Sequence, residues 1–295
     1  MKELRGLGTA LITPFRADGS VDYEALARLL NTQLTGAVDY IVVLGTTGEA
    51  ATMTEDEKRE VRTFVRQYVD GRLPLVLGVG GNNTAAVCES LRTMDLTGFE
   101  AILSVCPYYN KPNQEGLYQH FCAVAKASPI PVILYNVPGR TGVNLLPETV
   151  MRIYEAQPDK IIGIKEASGN LEQIKHLIEL SAISRQPSEL LVISGDDGIA
   201  CEIMEAGGAG LISVASNAFP EDFYDIVHKK NQAKQEQYQE MIRLLFKEGN
   251  PVGIKAVLAQ KGLIQNYLRL PLVPASEELS RQLSAVRDQI QKELA

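Results

Sequence analysis

The chain has no tryptophan, only three histidines and four cysteines, and no excess of positive charge. Its formal net charge is −7, so it offers no electrostatic footprint for nucleic acid. No apolar run is long enough to cross a membrane, and the first residues lack the apolar core of a signal peptide. We therefore expect a cytoplasmic protein that binds neither nucleic acid nor membranes.

The scarce cysteines and histidines also argue against two common kinds of site. The cysteines have no CxxC spacing, which favours reduced, buried thiols over a disulfide framework or a zinc site. The histidines fall far apart in helix-like segments, so the sequence predicts no metal cluster. The residues concerned are Cys88, Cys106, Cys122, Cys201, His120, His176 and His228. We expect neither a metal nor a cofactor.

Eight short apolar runs alternate with eight helix-like segments between residues 7 and 230. Continuous apolar strands are typical of a parallel sheet covered on both faces, and eight such units predict an α/β fold, the (β/α)₈ TIM barrel. A doubly wound open sheet is the alternative, but the GxGxxG fingerprint expected after its first strand is absent. Residues 1–231 are therefore predicted to form the barrel. Residues 232–295 are predicted to form a C-terminal helical domain, with a last helix from 276 to about 294.

Lys165 interrupts the sixth apolar run, where another apolar residue would be expected. An ammonium inside a core costs several kcal/mol unless it is paired or neutral, and a neutral amine is a nucleophile toward carbonyls. Ser168, Gly169 and Asn170 then form a turn and a helix cap, so Lys165 lies at the C-terminal end of its strand. A lysine that extends its head group into water is the alternative.

Further polar residues follow other strands on the same side, which is the face where TIM-barrel active sites lie. They are Thr46, Thr47, Tyr108, Tyr109, Tyr135 and Arg140. One lysine among hydroxyl groups and one arginine suits Schiff-base chemistry on a 2-oxo acid, in which the imine serves as an electron sink. Each motif alone also has an ordinary interpretation: a tight turn at Thr46, a half-buried aromatic at Tyr135, or a surface ion pair at Arg140.

Taken together, the motifs closely resemble the 4-hydroxy-tetrahydrodipicolinate synthase (dihydrodipicolinate synthase) family over essentially the whole chain. The matching segments are GTTGEAAT at 45–52, PYYNKP at 107–112, QEGLYQHF at 114–121, LYNVPGRTG at 134–142, IIGIKEASGN at 161–170 and SGDD at 194–197. The family belongs to the class I aldolases, together with N-acetylneuraminate lyase. The resemblance implies a lyase that condenses pyruvate with L-aspartate 4-semialdehyde on the diaminopimelate route to lysine.

The resemblance also implies roles for individual residues. Lys165 would form the Schiff base, and Tyr135 would donate and accept protons. Thr46 and Tyr109 would complete a proton relay, with Tyr109 supplied by the neighbouring subunit of a tight dimer. The pyruvate contacts would be Thr47, Gly195 and the backbone of Ile212. Arg140 would hold the carboxylate of the semialdehyde.

Three functions are weighed on this basis. The synthase comes first, because the paired threonines, the paired tyrosines and the arginine favour it. A sugar-acid aldolase or lyase of the same superfamily, such as an N-acetylneuraminate lyase, is the alternative. A barrel that only binds a keto acid is the third. A homotetramer built from two tight dimers would be usual for the family, although some members are dimers.

One group of positions departs from the family pattern of feedback inhibition by lysine. The resemblance places the inhibitor site at Ala50, Ala51, Glu55, Lys58, Asn82, Ala86 and Tyr108. Ala86 stands where sensitive relatives carry a glutamate, and Lys58 stands where they usually carry a histidine. The sequence therefore predicts weak or absent sensitivity to lysine.

Overall fold

The structure is a computed structural model that describes residues 4–184, 186 and 189–293. Eight strands close into a barrel in chain order, β1-β2-β3-β4-β5-β6-β7-β8. They are β1 Gly6–Ala10, β2 Tyr40–Val43, β3 Leu75–Gly78, β4 Ala101–Val105, β5 Val132–Asn136, β6 Ile161–Glu166, β7 Leu191–Ser194 and β8 Gly210–Ser213. The pairings between them are parallel. The predicted TIM barrel is confirmed.

Twelve α-helices accompany these strands in the described part of the chain. They are α1 Tyr23–Thr35, α2 Glu55–Val69, α3 Thr84–Thr93, α4 Gln114–Ala127, α5 Pro138–Thr141, α6 Pro147–Ala156, α7 Leu171–Ala182, α8 Ala200–Glu205, α9 Pro220–His228, α10 Gln232–Phe246, α11 Val252–Gln260 and α12 Glu277–Glu293. None of the helices in this part is long and apolar enough to cross a membrane. The predicted end of the last helix at residue 294 lies outside the described residues.

Local sequence explains where several helices begin. Thr54 and Glu57 form the predicted capping box of α2, each side chain bonding the other residue's backbone N–H. Pro147 occupies the first turn of α6, where its missing N–H removes no helical bond. The side chain of Asn170 accepts from the N–H of Gln173 and caps α7 directly after the lysine strand. These caps fix how each strand passes into its helix.

The chain divides into two compact units, which are described here one at a time. The first contains Leu4, Arg5 and Pro74–Ile212. It carries β3 to β7, most of β8, and helices α3 to α8. Strand β5 is buried along its whole length, as expected for a strand covered on both faces. We call this unit the lysine unit, because it contains Lys165.

The second unit contains Gly6–Leu73 and the chain from Ser213 onward. It carries β1, β2, α1, α2 and α9 to α12, and we call it the threonine unit. Helices α10, α11 and α12 pack on one another, and α11 is buried from Val252 to Leu258. The boundary predicted between residues 231 and 232 stays a prediction.

Candidate active site

A register shift between β5 and β6 determines which residues lie beside Lys165. Val132 pairs with Ile161, but Ile133 pairs with Gly163, so Ile162 is an extra residue in β6. A one-residue shift moves every later side chain to the opposite face of a strand. After the shift Tyr135 is level with Lys165. The bulge therefore places the amine and the phenol side by side on one face.

The Lys165 side chain lies over its neighbour on β5. Its Nζ is 4.6 Å from the centroid of the Tyr135 ring. Both residues are buried, at 6% and 7% exposure. At Gly195, directly after β7, a Cβ atom would lie 2.9 Å from the Cε of Lys165. Glycine at 195 therefore leaves room for the lysine stem, and the structure brings these three predicted site residues together.

The residues that follow Tyr135 and Lys165 form a second pair on the other face. Asn136 is level with Glu166, and its Nδ2 donates to Glu166 Oε2 at 2.9 Å. The N–H of Ser168 and the Nε2 of Gln173 also donate to this carboxyl, at 2.8 and 3.2 Å. Burial raises the pKa of Glu166 above its usual value, while these hydrogen bonds oppose the rise. Sequence reasoning assigned no role to this buried acid.

Arg140 lies on the short helix α5, which the sequence did not predict, and it is exposed. Gly142 ends this helix in the left-handed conformation, with φ of 75°. Pro138 is the first residue of α5, a position that suits its fixed φ and its missing N–H. The arginine thus lies four residues beyond the end of β5, the strand that carries Tyr135.

Tyr108 and Tyr109 lie in the turn after β4. Tyr109 is 88% exposed and has φ of 73°, a left-handed conformation that is unusual for a bulky residue. The turn is fixed from both sides, because Asn82 Nδ2 donates to the Tyr108 carbonyl at 3.1 Å and Asn110 Nδ2 donates to the Asn82 carbonyl at 2.9 Å. The backbone N–H of Tyr109 reaches the Thr141 carbonyl at 3.4 Å. The backbone that carries the exposed ring is therefore held in a defined conformation.

The threonine unit places Thr46 and Thr47 in a 3₁₀ turn after β2, Thr46–Gly48. Asn250 Nδ2 donates to the Thr47 hydroxyl oxygen at 2.9 Å, and Thr13 Oγ1 donates to the Gly48 carbonyl at 2.7 Å. A hydroxyl that accepts a hydrogen bond still has its own proton to donate. Asn250 thus fixes the rotation of the Thr47 hydroxyl and leaves it a donor.

Glu49 ends the threonine turn with φ of 53° and is buried. It forms an ion pair with Lys255 of α11, whose side chain has no exposed surface. Its other oxygen accepts from the backbone N–H of Arg269 at 3.1 Å. Burial lowers the pKa of Lys255 to about 8, with the Glu49 carboxylate opposing that shift. Neither residue of this ion pair was singled out from the sequence.

The predicted residues therefore fall into two groups. Lys165, Tyr135, Gly195, Arg140, Tyr109 and Ile212 belong to the lysine unit, and Thr46 and Thr47 belong to the threonine unit. Ile212 lies within β8 and is fully buried. Within residues 4–184, 186 and 189–293, no group of three histidine, cysteine or acidic side chains is placed to hold a metal ion.

Known proteins resemble the chain over nearly its full length. A curated 4-hydroxy-tetrahydrodipicolinate synthase of Flavobacterium psychrophilum is 49% identical, covering 99% of this chain and 100% of the relative. The crystal structure of dihydrodipicolinate synthase from Thermotoga maritima is 39% identical, with a TM-score of 0.92 and coverage of 97% and 98%. The chloride-inhibited enzyme from Acinetobacter baumannii, solved with pyruvate, is 36% identical with a TM-score of 0.92 and coverage of 98% and 99%.

The family profile described as the dihydrodipicolinate synthetase family matches residues 3–290. This match and the identities over full length confirm the resemblance found in the motifs. The chain belongs to the dihydrodipicolinate synthetase family.

Proposed function

We propose that the chain condenses pyruvate with L-aspartate 4-semialdehyde, with Lys165 as the Schiff-base residue. The family is one of lyases of the class I aldolase type, and its members' names support the synthase over the sugar-acid lyase. The observation that carries the assignment of residues is the buried amine of Lys165, 4.6 Å from the Tyr135 ring centroid. A buried lysine beside a phenol has a nucleophile and a proton carrier within one site.

The chemistry follows from this pair. The Lys165 amine adds to C2 of pyruvate, and loss of water gives an imine. Removal of a C3 proton converts the imine into an enamine, and its C3 then bonds to the aldehyde carbon of the second substrate. The aldehyde oxygen takes up a proton in that step. Tyr135 transfers these protons, because it is the hydroxyl-bearing side chain in register with the amine.

The remaining roles complete this proposal. Thr47 donates to the pyruvate carboxylate, a role supported by the Asn250 hydrogen bond that leaves its hydroxyl a donor. Thr46 passes protons to Tyr135, since strand ends of a parallel barrel lie on one rim. The backbone at Gly195 and Ile212 contacts pyruvate. Arg140, exposed on α5, holds the semialdehyde carboxylate as a planar, permanently charged group.

Tyr109 completes the relay from a neighbouring subunit, which makes the active form at least a tight dimer and, by family analogy, a homotetramer. The support is its 88% exposure next to Tyr108, at 43%. Large exposed aromatics are the groups that anchor interfaces. We place the enzyme in the cytoplasm, where its substrates would be formed.

Borohydride reduction in the presence of pyruvate tests the proposal, with the adduct located by mass spectrometry. We expect the label on Lys165, and we expect Lys165→Ala to keep its fold and lose nearly all activity. Lys160→Ala is the matched control, because Lys160 directly precedes the same strand and its Nζ donates to the Ser128 and Pro129 carbonyls. A label on another lysine would show that the assignment is wrong. Turnover of N-acetylneuraminate in preference to aspartate semialdehyde would contradict the reaction.

A further inference from the structure

Four buried or half-buried polar side chains form a connected cluster behind the reactive pair; they are Asn136, Asn144, Glu166 and Gln173. Asn136 Nδ2 donates to both Glu166 oxygens, at 3.1 and 2.9 Å, and to Asn144 Oδ1 at 2.7 Å. Asn144 Nδ2 donates to Gln173 Oε1 at 2.7 Å, and Gln173 Nε2 donates back to Asn144 Oδ1 at 3.1 Å. We call this set the amide cluster.

The first branch of the amide cluster joins the two reactive strands. Asn136 directly follows Tyr135, and Glu166 directly follows Lys165, so the Asn136–Glu166 bond ties the two strands together one residue beyond the reactive pair. Glu166 also accepts from Ser168 N–H, which fixes the chain as it leaves β6. A change in the length or angle of this bond would therefore shift the Tyr135 phenol and the Lys165 amine, because only one peptide unit on each strand lies between.

The second branch reaches the segment that follows the phenol strand. Asn136 Oδ1 accepts from the Leu145 N–H at 2.9 Å, and Asn144 is held by Gln173 of α7. Residues 137–145 therefore form a loop whose two ends are both fixed to Asn136. Helix α5, which carries Arg140, lies within that loop.

The chemistry of the cluster suits a rigid support better than simple space filling. Glu166 has no exposed surface, and Asn136, Ser168 and Gln173 all donate to it. A buried carboxyl costs free energy that an apolar side chain of similar size would not. Hydrogen bonds with defined directions hold groups at fixed angles, whereas apolar contacts allow them to slide.

We propose that Glu166, through its bond to Asn136, is a positioning residue that sets the geometry of the Lys165 amine and the Tyr135 phenol. The Asn144–Gln173 pair sets the loop that carries Arg140 by the second branch. This inference rests on the proposed function, because it assigns each branch to one stage of that reaction. The first branch acts on imine formation, and the second acts on binding of the semialdehyde.

Glu166→Gln tests the first branch, because it keeps the size of the side chain and turns one acceptor into a donor that faces Asn136. We expect the rate constant for imine formation with pyruvate to fall about 10- to 100-fold, the effect of a displacement near 1 Å. Rapid mixing followed by borohydride quench and mass spectrometry measures that rate. Glu172→Gln is the matched control, since Glu172 is an exposed glutamate in the first turn of α7 and forms an ion pair with Lys175 at 3.7 Å.

The exchange variant Asn136→Asp with Glu166→Gln tests the link itself. The amide of residue 166 then donates to the carboxylate of residue 136, so the strands are joined again with donor and acceptor reversed. We expect this double variant to recover at least about tenfold of the lost imine-formation rate if Glu166→Gln loses 100-fold. Recovery of a rate by restoring a hydrogen bond is not expected from a role in stability alone.

Gln173→Leu tests the second branch, although it also removes the 3.2 Å bond from Gln173 to Glu166. We expect the KM for the semialdehyde to rise about 3- to 10-fold, while the imine-formation rate falls less than in Glu166→Gln, because the Asn136–Glu166 bond remains. Circular dichroism and the midpoint of thermal unfolding confirm that each variant is folded before its kinetics are compared.

Two results would overturn the inference. One is a folded Glu166→Gln with a normal imine-formation rate, kcat and KM. The other is an exchange variant that is folded but as slow as Glu166→Gln. Failure of the wild-type enzyme to form any pyruvate adduct is a different result, because it would overturn the proposed function itself.

Discussion

The ends of β2 and β6 both have a buried glutamate nearby, but the partners of the two glutamates differ in charge. Each end carries predicted site residues followed by a buried glutamate, Glu49 after the threonine turn and Glu166 after Lys165. Glu49 is held by a buried ammonium, that of Lys255. Glu166 is held by neutral donors, chiefly the amide of Asn136 at 2.9 Å. Removal of Glu49 would therefore leave a buried ammonium without its carboxylate. Removal of Glu166 would leave only neutral donors without their acceptor.

The partners also differ in their distance along the chain. Those of Glu166 are 2, 7 and 30 residues away. Glu49 depends on Lys255 of α11 and on the backbone of Arg269, which is 220 residues away. Strand β6 is thus supported by residues within 30 positions of Glu166 in the sequence. The threonine turn instead depends on Lys255 and Arg269, near the C-terminal end of the chain. Helix α11 therefore contributes to the support of the threonine turn through Lys255.

The largest effect is expected on the lysine side, where we propose that the chemistry takes place. Tyr135→Phe should lower kcat by about 10²- to 10⁴-fold, the usual contribution of general acid–base catalysis. Tyr40→Phe is the control, because the Tyr40 hydroxyl is buried without a hydrogen-bond partner among the described residues, so its loss costs little. A Tyr135→Phe variant with near-normal kcat would falsify the proton-transfer role.

On the threonine side we expect the largest loss of stability. Lys255→Met removes one partner of a buried ion pair and leaves Glu49 uncompensated, which typically costs about 3–5 kcal/mol of unfolding free energy. Glu166→Gln should cost less, about 1–3 kcal/mol, because it disturbs hydrogen bonds without leaving a new buried charge. Urea unfolding of both variants compares the two costs. Equal losses of unfolding free energy in the two variants would mean that the charged partner of Glu49 contributes no more to stability than the neutral donors of Glu166.

A subunit-mixing experiment tests whether Tyr109 acts in the active site of its own subunit or in that of a neighbouring subunit. Tyr109→Phe and Lys165→Ala should each be nearly inactive alone. If Tyr109 acts across a dimer interface, mixed dimers contain one site with both residues intact, so activity should return to about a quarter of wild type after random exchange of subunits. The readout is the steady-state rate after unfolding and refolding the two together. No recovery in verified mixed dimers would place Tyr109 in its own subunit's site.

The smallest effect is expected from added lysine. Ala86 offers no carboxylate, and Lys58 is a cation already paired with Glu55 at 2.8 Å. Loss of one charged hydrogen bond, about 1.5–3 kcal/mol, weakens binding roughly tenfold or more. Lysine titrated at fixed substrates and constant ionic strength should therefore leave the rate nearly unchanged below millimolar concentrations. Half-inhibition in the sub-millimolar range would contradict this, and Ala86→Glu with Lys58→His should increase sensitivity.

The sequence was sufficient for the barrel and for placing Lys165 near the end of its strand, because both produce local signals. Eight apolar runs predict eight strands, and a lysine within such a run stands out against its neighbours. The bulge at Ile162 leaves no such signal, since an extra isoleucine in an apolar strand looks like any other. Without it, the pairing of Tyr135 with Lys165 could be placed only to within one residue.

The supporting acids were missed for a different reason. Glu49 and Glu166 each follow a motif that the sequence did single out, but their partners are brought in by tertiary structure. Lys255 sits on a helix where a lysine is usually exposed, and its burial depends on contacts from elsewhere in the chain. Local periodicity carries no information about such contacts, and the resemblance to the family assigned no role to these residues.

The division into two units has a consequence for synthesis on the ribosome. Apart from Leu4 and Arg5, the lysine unit is one uninterrupted stretch, Pro74–Ile212, whereas the threonine unit begins near the N-terminus and is finished only by the chain from Ser213 onward. At about 5–20 residues per second, the first of its two segments waits on the order of ten seconds for the second. During that interval Glu49 has been made and Lys255 has not, so the nascent chain holds the acid before its counter-ion exists. Protection of this segment by chaperones would matter most in that interval.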